Sequence, residues 1–320
     1  MNRRTVFILT LVILAGLIPV TVYWLETGNL QTPDLEALPG RCVSPSAQMA
    51  QALAGLVIKP VYMMLSLFLI ILLIGQRDTD IAALQWGLIA FLVGEVFCAV
   101  NFYIYRHESI LSEYIHSYGM AVAFGLVSFA LLEGLDARLL RLTSSMAACE
   151  ALRVCGQCTR HSPAGCKAKA ITQFALPMLA ALTFIPLLSP LLPDAYAVSI
   201  FGFPYSYTRL DVYELYERRV LPLLALAAFV LAWLPLLKKG EPPIPFLTRA
   251  LACAGLGALG FSFFRVTLNA IFADNLVWFE FWEEATELMF TAAVGFVLWQ
   301  FRRSLLKQSA ILEVFFRSGV

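Results

Sequence analysis

The sequence predicts an all-α bundle of about eight transmembrane helices with both termini on the cytoplasmic side. Three observations predict it. The chain is 60% hydrophobic and only 14% charged, whereas a soluble domain carries roughly 25% charged residues. Its apolar runs are long enough to cross a hydrocarbon core of about 30 Å. Its Lys and Arg residues are unequally shared between the connections on the two sides.

The runs fall at about 5–25, 52–75, 82–105, 117–135, 171–193, 220–237, 247–272 and 281–301. The first follows Arg3 and Arg4. It is longer than the apolar core of a secretory signal and no small-x-small cleavage site follows it closely, so it reads as a retained first helix. Pro222 and Pro235 in the sixth run are absorbed near its ends or mark a broken helix. With the N-terminus inside, most of the 23 Lys and Arg residues face the cytoplasm, including Arg138, Arg141, Arg153, Arg160, Lys167, Lys169, Lys238, Lys239 and Arg249. Arg41, Arg106, Arg209, Arg218 and Arg219 fall outside. This bias sets the orientation and leads to an expected place in a bacterial inner membrane. The whole chain, 1–320, is read as one integral-membrane domain in contact with lipid.

The outer connection 194–219 holds FGFPYSYTRLDVYELYERR. Leu210, Tyr213 and Tyr216 share one helical face there, which predicts a short helix at the interface and an aromatic belt on the outer surface. Nothing in the composition suggests nucleic acid as a partner: the net charge is +1, and no basic tail is present.

The longest inner connection, 137–170, carries Cys149, Cys155, Cys158 and Cys166 in CEALRVCGQCTRHSPAGC. The C-x2-C pair has the spacing at which two sulfurs of a tight turn reach one ion. Arg153, Arg160, Lys167 and Lys169 surround the thiols and favour thiolates. Four sulfurs suit zinc and an iron–sulfur cluster equally, with His161 as an alternate ligand in place of Cys149. A c-type haem is excluded, because Thr159 and Arg160 separate Cys158 from His161. A protein partner is expected to dock on this loop. Elsewhere, Cys42 and Cys98 are both placed to the outside, where a disulfide is conceivable, and Cys253 reads as a small core residue.

A second group of residues stands out because ionisable side chains inside a membrane are costly. Lys59, Glu95, Asn101, Arg265 and Asn269 lie in the outer parts of their runs. Glu280, Glu283, Glu284 and Glu287 open the eighth, and the stretch RHESILSEYIHSYG adds His107 and His116. Glu280, Glu284 and Glu287 share one helical face, as do Arg265 and Asn269. In a dry environment Lys59 and Arg265 need counter-charges, for which Glu95, Glu284 and Glu287 are the candidates. Glu133 and Asp136, at the inner end of the fourth run, are expected to pair with Arg138 or Arg141.

The constellation fits either a salt-bridge network that fixes helix register or a polar pocket open to the outside. Haem b is not indicated, since paired helical histidines are missing, and a carboxylate-bridged di-iron site would require Glu-x-x-His, which the glutamate stripe lacks. The first functional expectation is a redox-linked membrane subunit, with a cluster or redox thiols inside and a quinone in the outer pocket. About 30 Å of hydrocarbon core would separate the two, so a mobile carrier or partner subunit would have to connect them. The alternatives are a transporter or lipid-processing enzyme that uses the outer Glu/Arg pocket, with zinc stapling the inner loop, and a non-catalytic scaffold or assembly subunit.

Overall fold

The computed structural model describes residues 38–76, 78–105, 109–136, 167–192, 194–209, 211–237 and 244–300. The expected first span at 5–25, the four clustered cysteines, His107, His161, Arg138, Arg141 and both chain ends lie outside the described residues. The described chain forms helices α1 (Pro45–Leu72), α2 (Thr79–Tyr103), α3 (Ile110–Leu135) and α4 (Ala168–Leu188). A hairpin of β1 (Asp194–Ile200) and β2 (Phe203–Arg209) follows. Helix α5 (Tyr213–Leu237, with a leading turn from Asp211), α6 (Phe246–Ile271) and α7 (Leu276–Gln300) complete it.

Helices α1 to α6 are long and apolar enough to cross a membrane, which makes this an integral, multi-pass membrane protein. Helix α7 has the length of a span, but its first half carries Glu280, Glu283, Glu284 and Glu287. The helices alternate in direction, so the starts of α1, α3, α5 and α7 and the ends of α2, α4 and α6 meet at the end that bears the hairpin.

Prolines shape two of these helices. Proline has no N–H to give to the carbonyl four residues earlier, and its ring crowds that carbonyl. Just before Pro60 the chain opens into a wide π-type turn, Ala54–Ile58, and the Lys59 N–H reaches back five residues to Ala54. The same happens before Pro222 over Tyr216–Val220, where the Leu221 N–H reaches Tyr216. The carbonyl of Glu217, bypassed by this turn, accepts from Ser262 Oγ at 2.6 Å. The Arg218 carbonyl, left without a donor by Pro222, accepts from the Arg219 guanidinium at 3.0 Å. Helix α5 therefore crosses unbroken from Asp211, and Pro235 sits in a terminal 3₁₀ turn, Leu234–Leu237.

Small residues bring the central helices together, as is usual where lipid supplies no drive for apolar association. A Cβ on Gly119 of α3 would stand 2.9 Å from the Ala90 carbonyl of α2 and 3.0 Å from Gly94 Cα. Gly257 of α6 seats more tightly still on Ala121 and Gly125 of α3. Around these contacts a core of Tyr62, Phe91, Tyr114, Phe229 and Phe261 is fully enclosed. Cys253 is buried as expected, and Cys42 and Cys98 are free thiols with no bond between them.

The connection 194–219 differs from expectation. Residues 194–209 form an antiparallel hairpin, Asp194 opposite Arg209, turned by Phe201 and Gly202 at positive φ. Such a two-residue turn matches the natural twist of the strands. Its inner face, Tyr196, Val198, Ile200 and Tyr207, packs on Ala47, Leu276 and Val277. DVYEL, expected to lie in the interface, is the first turn of α5 instead.

Replacing Gly257 by Ala forces a methyl group into the Ala121 backbone, which should cost about 1–3 kcal/mol or more. Gly260→Ala meets nothing within 4 Å and should be neutral or slightly stabilising. Thermal unfolding of the two variants in detergent checks this contrast.

Candidate functional site

A column of polar side chains runs inward from the hairpin end, built from α1, α2, α3, α5, α6 and α7. At its mouth Tyr205 of β2 donates to Glu280 at 2.8 Å, and Gln51 of α1 donates to both, at 3.1 Å to Tyr205 and 3.3 Å to Glu280. Burial, and then the nearby charge of Glu280, push the Tyr205 phenol well above its ordinary range. It therefore stays protonated and acts as a donor.

One layer deeper lies Arg265 of α6. Its Nε donates to Glu217 of α5 at 2.7 Å, its NH1 bonds Glu283 of α7, and its NH2 lies 3.8 Å from Glu113 of α3. The guanidinium also faces the rings of Phe261 and Phe279, which favours a cation there. His116 of α3, only 2% exposed, bridges this layer to the next. Its Nε2 is 3.8 Å from Glu283 Oε1, and its Nδ1 is 3.3 Å from Glu95 Oε1. The Gly94–Gly119 contact makes this proximity possible, because it presses α2 and α3 together beside both residues.

The foot of the column is the Lys59 ammonium. It is 2.7 Å from Glu95 Oε2 and 2.7 Å from Glu284 Oε1, and donates to the Tyr62 hydroxyl at 3.0 Å. Tyr62 reaches Glu284 at 2.6 Å and also bonds Glu95. Glu95 is fully enclosed. Helix α1 starts at Pro45, with Ser44 as its cap, so Lys59 lies roughly 20 Å along the axis at 1.5 Å per residue. This is deeper than the sequence reading placed it. Glu287, 3% exposed, lies beside Glu95 and Glu284. It has no ion pair among the described residues, and its Oε2 is buried without a hydrogen-bond partner.

The expected pairing therefore holds for Lys59 with Glu95 and Glu284. For Arg265 the counter-charges are Glu217 and Glu283 instead. All four glutamates of α7 turn into the column, Glu283 included. Asn101 and Asn269 serve as braces. Asn101 accepts from the Ser109 N–H at 3.0 Å and donates to Glu113 at 3.3 Å. Asn269 accepts from Arg209 at 2.8 Å and donates to Glu214 at 2.8 Å. Arg209 and Arg218 both face Glu214, at 3.7 and 3.2 Å; through Glu214 and Asn269, Arg209 ties the hairpin to α5 and α6. At the far end of the bundle, Glu133 and Asp136 pair with Arg249 of α6 at 2.6 and 2.8 Å.

Sequence reading placed Glu113 on the same side as the site and Tyr62 only at its flank, and it missed Glu217 as a member. Glu214, Glu217 and Arg218 stand one turn before an apolar run at i, i+3 and i+4. That spacing would have placed them on one face had the helix been extended backwards. No family model, curated protein or solved structure matches this chain.

Chemically, the column holds the carboxylates of Glu95, Glu113, Glu217, Glu283, Glu284 and Glu287 against Lys59 and Arg265, with His116 between them. A buried acid excess of this kind is offset by bound protons or by additional positive charge. Lys59→Met would leave Glu95 and Glu284 enclosed without their cation. It should destabilise the protein by about 3–5 kcal/mol, and adding Glu284→Gln in the same chain should recover part of that loss, both read by thermal unfolding in detergent.

Proposed function

We propose that this membrane protein is a cation carrier, with the hairpin on the outer face of a bacterial inner membrane and the polar column as its entry path. The observation that carries the reading is Glu287, a carboxylate enclosed at the foot of an acid-rich column with an oxygen that no donor satisfies. Two further features support it. Helices α1 and α5 both open into wide turns beside the column, and irregular backbone at membrane depth is tolerated where it lines a polar path. Lys59 also occupies a position between two carboxylates where a mobile cation would otherwise sit.

The redox reading places a quinone in this column and zinc or an iron–sulfur cluster on Cys149, Cys155, Cys158 and Cys166. A neutral quinone ring would do little to offset the acid excess, so the carrier is the better match. In the carrier, metal on the cysteine loop staples the cytoplasmic connection and a protein partner docks there.

Reconstitution into liposomes tests the proposal. A gradient of protons or of a divalent cation should drive uptake above that of empty vesicles, followed with a pH-sensitive or metal-sensitive dye inside. Glu287→Gln, verified as monodisperse by size exclusion, should reduce uptake to the empty-vesicle level. Absence of uptake under either gradient, or full uptake by that variant, overturns the reading.

A further inference from the structure

We infer that His116, Glu283 and Glu287 form a binding site for a divalent transition-metal ion such as zinc, manganese or ferrous iron. The inference rests on the carrier reading and narrows its cation to one class.

The geometry comes first. One ligand atom from each of these three residues lies within 4.8 Å of the other two. Two ligands at 2.0–2.2 Å from one tetrahedral ion stand about 3.4 Å apart. The separation of 3.8 Å between His116 Nε2 and Glu283 Oε1 is too long for a hydrogen bond and needs only a few tenths of an ångström of closure around an ion. Helices α3 and α7 supply the ligands from their hairpin-side halves, so the path from the column mouth leads to them.

The unmet hydrogen-bonding capacity points the same way. Glu287 Oε2, His116 Nδ1 and Glu95 Oε1 are all buried without a hydrogen-bond partner, although the last two are only 3.3 Å apart. A metal-bound histidine commonly donates its other ring N–H to a carboxylate, which fixes the tautomer and the ring plane. With the ion on Nε2, the Nδ1–H turns to Glu95 Oε1 and both orphaned atoms are satisfied. Glu287 gains the cation that it otherwise lacks.

A competing set, Glu95, Glu284 and Glu287, also has ligand atoms within 4.8 Å. Its centre is already served by the Lys59 ammonium, 2.7 Å from both Glu95 and Glu284. A third set, Glu95, Cys98 and His116, also contains the histidine, but the Lys59 ammonium again stands against it, 2.7 Å from Glu95 and 3.5 Å from Cys98 Sγ. The set of His116, Glu283 and Glu287 is the one left for an external ion, and imidazole favours transition metals over magnesium or calcium. Arg265 competes for Glu283, but it also holds Glu217 and faces Glu113. It therefore stays paired when Glu283 turns to the metal.

The test uses the full chain in detergent, with Cys149→Ser, Cys155→Ser, Cys158→Ser and Cys166→Ser introduced so that the thiol loop retains no ion. After chelator treatment, cobalt(II) is titrated and the bound metal per chain is measured after desalting, along with the visible spectrum. The expected result is one equivalent of cobalt with d–d bands and no thiolate charge-transfer band. His116→Ala and Glu287→Gln should each abolish the stoichiometric ion. Glu95→Gln, which removes only the partner of Nδ1, should weaken binding about 10–100-fold. If Glu287→Gln is not monodisperse, Glu283→Gln takes its place.

Absence of bound cobalt, retention of it in both ligand variants, or a thiolate band from Cys98 overturns the site. Proton uptake by liposomes without stoichiometric cobalt overturns the site and leaves the carrier standing. Stoichiometric cobalt without uptake of any cation supports the site and overturns the carrier.

Discussion

The Lys59 ammonium, held between Glu95 and Glu284, is the interaction on which the rest of this structure depends. An ion removed from water costs several kcal/mol unless a partner of opposite sign and further hydrogen bonds are in place. Here the three charges come from α1, α2 and α7. None of these helices can shift without leaving a charge unpaired in an apolar interior. Tyr62 reaches both carboxylates as well, which leaves Glu95 Oε1 as the oxygen without a hydrogen-bond partner. A single point deep in the bundle thus sets the relative depth of three helices whose other faces are apolar.

Above that point lies a second layer centred on Arg265, which the hairpin then covers. The roof is held by polar bonds, Tyr205 and Gln51 to Glu280, and by a buried apolar face over α1 and α7. The braces at its edge, Arg209 to Asn269 and Glu214, hold the strands against α5 and α6. The site therefore combines walls of helix with a cover of strand that is fixed by both polar and apolar contacts.

Much of this was legible in the amino-acid order because charge in a long apolar run has few physical solutions. Lys59 had to find carboxylates, and Glu95 and Glu284 were the ones within reach. The spacing of Glu280, Glu284 and Glu287 placed them on one face of α7. The partners of Arg265 were not legible, since Glu217 precedes an apolar run and its segment reads equally well as a surface loop. The hairpin was obscured for a related reason: Tyr196, Val198 and Ile200 alternate over too few residues, and the aromatic residues of β2 resemble an interfacial belt. The depth of Lys59 could have been found from Ser44 and Pro45, a cap followed by proline at the first helical position, which starts α1 a full two turns before its strongly apolar part.

The wide turn ahead of Pro222 has a consequence for how α5 can evolve. It acts as one inserted residue, so the segment before it and the segment after it are out of phase by about 100°, the angle that one residue spans in a helix of 3.6 residues per turn. The leading part can then obey a charge pattern that points Glu214, Glu217 and Arg218 towards their neighbours, while the trailing part obeys an unrelated pattern of packing against α6. Mutations can accumulate in either half without rotating the other, and a helix of ordinary length comes to serve two masters.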